Sequence, residues 1–379
     1  MEKIKLLLFV DRLGHGGIQT LLLNILDKID KEKFEISFLN FDFGVKYELE
    51  DKVVKAGAKI YKVPHPQKHP FKCMKETKQF FKTHHFDIVH CHSSSKAAVI
   101  LKYAKKYKVP VRIAHSHADS FQSKNFLLKL VGNMLMIPLN RNATHYCACS
   151  QSAGKWMFGH WYSKKIPITI IKNAIDLNKY KYNEKTDLEL RALYKIDKST
   201  KVFGHVGRFM RVKNQTFLIN AFYEYLKINN NAKLILIGIG TLKEEAENLV
   251  KKLHIEDKVI FTGYQSDTAK FYSLFDVFVL PSLVEGLPFV GVEAQASGLK
   301  CLFSDHVSKE IALIEENCKF IPLVTDEWVK TFDKVEIIKN RELIYLKLKE
   351  EGFDLSDEIK KLEEYYQNNL KEVSLWNIL

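Results

Sequence analysis

A chain of 379 residues is too long for one ordinary α/β domain and comfortable for two. Its 46% hydrophobic and 27% charged residues match a globular protein rather than a disordered one, and no apolar run approaches the roughly 18 residues that span a bilayer. The net charge of +13 is uneven: residues 1–170 hold 28 Lys and Arg against 13 Asp and Glu, whereas the rest hold 30 against 32.

The opening stretch Met1–Val10 has an apolar run of only Leu6–Val10, and Asp11 and Arg12 follow without a small-residue cleavage site. It reads as a buried strand rather than a signal sequence. Further strands are expected at Phe34–Asn40, Lys59–Val63, Asp87–His90, Arg112–Ala114 and His145–Cys149, with helices at Ile18–Lys28, Phe71–Thr83 and Ala97–Tyr107. Ile168–Asn183 reads as a junction. Beyond it, strands are expected at Val202–Val206, Lys233–Ile237, Lys258–Thr262, Val277–Leu280 and Lys300–Phe303. Helices Gln215–Leu226, Leu242–Leu253 and Phe289–Ser297 lie between them, and Asp357–Leu370 reads as a late polar helix. Two runs of strand–helix alternation imply two doubly wound, Rossmann-like α/β domains, 1–175 and 176–355, with a C-terminal helix in 356–379 able to return to the first.

In such sheets ligands collect beyond the carboxyl ends of the strands. The loop Gly14-His15-Gly16-Gly17 stands there, before a helix start whose amides suit phosphate. It lacks the spacing of a dinucleotide fingerprint or a P-loop, and a tight structural turn explains it equally well. His90-Cys91-His92 and His115-Ser116-His117 end two further strands. Alternate histidines could converge on a metal, but no carboxylate cluster or H-E-x-x-H spacing accompanies them, so substrate contact is the better expectation. The six cysteines are scattered and read as reduced, buried thiols.

The second half is more specific. Gly207-Arg208 and Lys213-Asn214 follow its first strand, and a planar guanidinium plus a compact ammonium suit a diphosphate. After Val277–Leu280 comes Glu285-Gly286-Leu287-Pro288-Phe289, then Glu293 about one turn inside a helix. Eight residues apart, the two glutamates do not make a hydrolase acid–base pair. They suit hydroxyls on different parts of one polyol ligand, with the amides of residues 286–289 meeting its phosphates.

These segments resemble glycosyltransferase family 4, retaining enzymes of the glycosyltransferase-B (GT-B) fold, in which two Rossmann-like domains face a cleft. The likeness rests first on the E-x7-E string EGLPFVGVEAQASG and next on the Gly-Arg…Lys-Asn string at 207–214, and runs to about Phe320. It implies that Arg208 and Lys213 bind the donor diphosphate, that Glu293 holds the ribose hydroxyls and that Glu285 contacts the donor sugar. It places Gly16 and Gly17 at the donor phosphates, Gly263 and Tyr264 beside the base, and His117 near the reacting sugar. His92 and His115 fall on the acceptor side. Asn173-Ala174-Ile175-Asp176 departs from the family's usual Asn-Gly-Ile-Asp, and Lys300 stands where Pro is common.

The resemblance implies transfer, with retention, from a nucleoside diphosphate sugar, UDP before GDP, to a lipid-linked or saccharide acceptor in capsule or exopolysaccharide synthesis. No Asp-x-Asp triplet occurs, so no metal or other cofactor is expected. The basic first half and the apolar segment Asn125–Arg141 carry two readings. One is a cytoplasmic protein held peripherally on the inner face of the plasma membrane; the other is solvated lysines around a buried helix. No nucleic-acid module is recognisable. A silent nucleotide-sugar-binding partner subunit and a GT-B epimerase are the competing functions.

Overall fold

The computed structural model describes residues 2–14, 16–117, 126–165, 167–341 and 343–376. The chain folds as two units, Met1–Asn173 with Leu355–Leu379, and Ala174–Asp354.

The first unit holds a seven-stranded sheet of β1 (Ile4–Phe9), β2 (Phe34–Asp42), β3 (Lys59–Pro64), β4 (Ile88–Cys91), β5 (Val111–Ser116), β6 (His145–Ala148) and β7 (Ile168–Ile170). Its order is β3-β2-β1-β4-β5-β6-β7, and every neighbouring pair is parallel. Leu6 to Phe9 and Ile88 to Cys91 are fully buried, as expected of strands covered on both faces. The order reverses between β1 and β4. There the loop before helix Gly17–Lys28 and the end of β4 lie side by side.

The second unit holds β8 (Lys201–Val206), β9 (Ala232–Ile237), β10 (Val259–Gly263), β11 (Val277–Leu280), β12 (Lys300–Ser304) and β13 (Cys318–Ile321), in the order β10-β9-β8-β11-β12-β13. All of its pairs are parallel too. Phe203, Phe222, Tyr225, Trp328 and Phe332 pack into one aromatic core against this sheet. Its reversal point lies between β8 and β11.

The fold is therefore two Rossmann-like units. The sequence pattern misses β7 and β13, edge strands of three and four residues. Neither is long enough to show a period.

Helix Leu355–Trp376 belongs to the first unit. Leu355, Ile359, Leu362 and Tyr366 repeat at helical spacing and are buried. Glu363 accepts a hydrogen bond from the Asp30 amide (2.7 Å) and Glu358 one from the Lys172 amide (2.8 Å). Helix Phe126–Asn142 divides its apolar residues between two faces. Met136 and Leu139 are buried, while Leu130, Val131, Met134, Leu135 and Ile137 are exposed. That helix packs on Ala98–Lys106, whose Lys102, Lys105 and Lys106 are exposed. Asn125 lies outside the described residues.

Candidate functional site

In the second unit, the loops after β8 and β11 flank the reversal point and are tied together. The Leu283 amide donates to Val212 O (2.8 Å), and Asn214 Nδ2 to Pro281 O (3.1 Å). Asn214 adopts a left-handed conformation (φ 56°), which asparagine tolerates, and begins helix Gln215–Leu226. Lys213 Nζ lies 2.6 Å from Glu285 Oε1, the two side chains being 16% and 18% exposed. Ser282 Oγ also donates to Glu285 Oε1 (3.3 Å). A cation from one loop and an anion from the other thus meet where a ligand of this fold class binds.

Arg208 is exposed at the same strand end. Its carbonyl accepts from buried Gln215 Nε2 (3.0 Å). Gln215 also meets His205 Nε2 (3.3 Å), and His205 Nδ1 donates to Val279 O (2.9 Å). That pairing fixes the tautomer, and burial lowers the His205 pKa to about 4, so the ring is neutral. A Cβ on Gly207 would stand 3.0 Å from His205 Nε2.

The backbone of Gly207–Phe209 rests on the turn after β9. Gly207 and Phe209 amides donate to Ile237 O and Ile239 O, each at 2.9 Å. Gly238 (φ 143°) and Gly240 (φ 155°) allow this approach, because a Cβ on either would meet Gly207 O at 2.1 Å or Phe209 O at 2.2 Å. Sequence reasoning passed over Gly238 and Gly240, although two glycines at a strand end are a legible signal.

Helix Phe289–Ala296 begins after Glu285-Gly286-Leu287-Pro288 and has no side-chain cap among the described residues. Its first amides have no acceptor within the helix and point with the positive dipole end. Leu287 and Phe289 are buried, while Gly286 and Pro288 are half-buried. One turn in, Glu293 is 6% exposed and is met by two phenols: Tyr180 OH donates to Oε1 (3.0 Å) and Tyr272 OH to Oε2 (2.6 Å). Burial raises the Glu293 pKa against these bonds. Each carboxylate oxygen keeps a second lone pair. Neither tyrosine lies near Glu293 in sequence, so no spacing announced them. Gly263 (φ 69°) closes β10, and Tyr264 beyond it is 44% exposed.

In the first unit, Gly16 and Gly17 are exposed at the start of helix Gly17–Lys28, which no described side chain caps. Asp11, at the end of β1, pairs with Lys96 and accepts from Ser93 Oγ (2.6 Å). His15 lies outside the described residues. The histidines of β4 and β5 converge on one another. His90 Nε2 meets His115 Nδ1 at 3.0 Å, His92 Nδ1 meets His117 Nε2 at 2.9 Å, and His90 Nδ1 meets Tyr366 OH at 2.6 Å. His90, His92 and His115 are buried and His117 is half-buried. Withdrawal from water lowers His90 and His117 to about 3, so both rings are neutral hydrogen-bonding groups near neutral pH.

The chain matches two family models. Residues 15–179 match the family model described as Glycosyltransferase Family 4, and residues 187–352 the model of Glycosyl transferases group 1. A putative glycosyltransferase EpsF of Bacillus subtilis is 32% identical over 305 residues, covering 79% of this chain and 78% of that one. An Escherichia coli UDP-Gal:alpha-D-GlcNAc-diphosphoundecaprenol alpha-1,3-galactosyltransferase is 27% identical over 301 residues, 76% of each chain. Among solved structures, Anabaena HepE in complex with UDP and glucose superposes with a TM-score of 0.79 at 17% identity, covering 96% of this chain and 99% of that one.

Proposed function

The chain belongs to the family 4 glycosyltransferases of the GT-B fold, and from that premise we propose that it transfers a sugar from a UDP-sugar, with retention, to a lipid-linked saccharide. One observation carries the donor half of the reading: Arg208, Lys213, Glu285 and the start of helix Phe289–Ala296 gather around the reversal point of the second sheet. The diphosphate gains charge as it departs. Fixed donors aimed at that charge lower the barrier, one such donor contributing roughly 3–4 kcal/mol. Arg208 and Lys213 fill this role, with the amides of Gly207 and of residues 286–289 beside them. Glu285 then contacts the donor sugar, and Glu293, oriented by Tyr180 and Tyr272, the ribose hydroxyls. Asn214 holds the Lys213 loop, and Gly263 and Tyr264 border the base.

Fixed cations serve the diphosphate in place of an ion, so the proposed transfer proceeds without a divalent metal there. The family resemblance further assigns the backbone of Gly16 and Gly17 to the donor phosphates, His117 to the reacting sugar, and His92 and His115 to the acceptor side.

The UDP-bound state of HepE and the diphosphoundecaprenol acceptor of the Escherichia coli relative support the choice of UDP and of a lipid-linked acceptor. An acceptor of that class draws the enzyme to the inner face of the membrane. The exposed apolar side chains of helix Phe126–Asn142, beside the exposed lysines of Ala98–Lys106, suit an anionic bilayer surface. No described helix is long and apolar enough to cross a membrane. The product then enters surface polysaccharide synthesis.

The test is a panel of nucleotide sugars scored by thermal stabilisation, followed by transfer of labelled sugar to undecaprenyl-diphosphate saccharides. Stabilisation by a UDP-sugar and label recovered in the lipid fraction, α-linked from an α-linked donor, support the reading. Stabilisation without transfer to any acceptor marks a silent binding subunit. Isomerised donor marks an epimerase.

A further inference from the structure

We propose that His90, His92 and His115 form a binding site for a borderline-soft divalent transition ion of the Zn2+ class. The inference concerns the first unit alone and does not depend on the donor reading above.

Two adjacent parallel strands create the cluster. Side chains alternate across a strand, so His90 and His92 share one face of the sheet, as do His115 and His117. The register sets Cys91 opposite Ala114, which brings the two pairs together. Ring centroids lie 4.1 Å apart for His90 and His92, 5.1 Å for His90 and His115, and 5.0 Å for His92 and His115. One ring nitrogen from each of the three lies within 4.8 Å of the other two.

A neutral imidazole has one donor and one acceptor nitrogen. Tyr366 OH holds His90 at Nδ1, and His117 holds His92 at Nδ1. His90 Nε2 and His115 Nδ1 then satisfy one another. His92 Nε2 and His115 Nε2 remain, both buried with no hydrogen-bond partner among the described residues, on residues only 1% exposed. A buried polar atom without a partner is costly, and two on neighbouring rings call for a shared one.

A metal ion meets that need. When Tyr366 accepts from His90 Nδ1–H and His117 accepts from His92 Nδ1–H, the Nε2 lone pairs of His90 and His92 turn inward. Imidazole ligands are ordinarily held this way, the far ring nitrogen donating to an outer partner. Three nitrogens at about 2.0–2.1 Å from a Zn2+ ion stand roughly 3.3 Å from each other. Ligation breaks the 3.0 Å hydrogen bond between His90 Nε2 and His115 Nδ1, freeing the His90 Nε2 lone pair, while His115 turns its unprotonated Nε2 to the ion. An all-imidazole donor set selects Zn2+, Co2+ or Ni2+ over Mg2+ and Ca2+. Three protein ligands leave a fourth position for water, hydroxide or an anionic oxygen.

The test is titration of the metal-free full-length protein with Co2+ alone. The expected result is one equivalent bound with the visible ligand-field bands of four-coordinate Co2+, abolished by one equivalent of Zn2+. His92→Gln and His115→Gln should each remove the bands and weaken Zn2+ binding at least 100-fold, measured by competition with a chromophoric chelator. His254→Gln in the second unit should change neither. Tyr366→Phe, which removes an outer partner, should keep the bands and weaken binding about 10–100-fold. Only the faint spectrum of six-coordinate Co2+, or bands that survive in both histidine variants, would overturn the site. Should either variant fail to fold, X-ray absorption on the Zn2+-loaded native protein decides. Three imidazoles at the zinc support the site, and fewer than three exclude it.

Discussion

Lys213 and Glu285 reach each other across the reversal point of the second sheet, Nζ to Oε1 at 2.6 Å. One comes from the loop after β8 and the other from the loop after β11. The pair sets a cation beside an anion at the strand ends where the proposed donor would bind. Lys213→Ala should lower kcat/KM by 100- to 1,000-fold, the loss seen when one charge-stabilising donor is removed. Stability should fall by about 1–3 kcal/mol, because Glu285, only 18% exposed, loses its cation. Steady-state kinetics beside urea unfolding separate the two effects.

Arg208→Lys keeps the charge but loses the planar fork that grips two phosphate oxygens at once. It should recover only a small part of the activity lost in Arg208→Ala. Full recovery would show that charge alone matters at this position.

Much of this site was legible in the sequence, because its loops carry residue types with one chemical use. Gly207, Arg208, Lys213 and the two glutamates stand within short strings at strand ends, and the strands themselves show as apolar runs. What stayed hidden acts through space. Tyr272 meets Glu293 from a helix that begins at Ala269, and Tyr180 from a turn beginning at Leu177. No periodicity links residues so far apart. Helix Phe126–Asn142 was ambiguous for another reason: its apolar residues cover both a buried and an exposed face, and hydrophobicity alone does not say which is which.

Tyr272→Phe tests the hidden layer. It leaves Glu293 Oε2 buried without its 2.6 Å donor, which should cost about 1–3 kcal/mol of stability. UDP affinity should drop with it, whereas inorganic pyrophosphate, which has no ribose, should bind as before.

Gly240→Ala forces a Cβ to 2.2 Å from Phe209 O in a backbone conformation (φ 155°) that alanine rarely adopts. The loop carrying Arg208 must move or the turn after β9 must open. We expect at least about 2 kcal/mol of destabilisation, read by urea unfolding, and weakened nucleotide binding in whatever fraction folds.

His205 sets a pH dependence. Its pKa is lowered to about 4 in the folded protein by burial, against about 6.5 in an unfolded chain. Above pH 6.5 the ring is neutral in both states and carries no linkage. As pH falls from 6.5 to 4 the unfolded chain takes up a proton that the folded one refuses, so up to about 3 kcal/mol is lost. Below pH 4 this contribution stops changing. Urea unfolding of His205→Gln across that range should show a slope smaller by about one proton than the native protein.

In the proposed donor site, fixed positive groups of the second unit grip a pyrophosphate. Isothermal titration of UDP, UMP and uridine into the native protein, Arg208→Ala and Lys213→Ala tests this most directly. UDP should bind native protein at least tenfold more tightly than UMP, and each substitution should erase most of that difference while leaving uridine unaffected. Equal affinity for UDP and UMP, or variants that bind UDP as the native protein does, would contradict it.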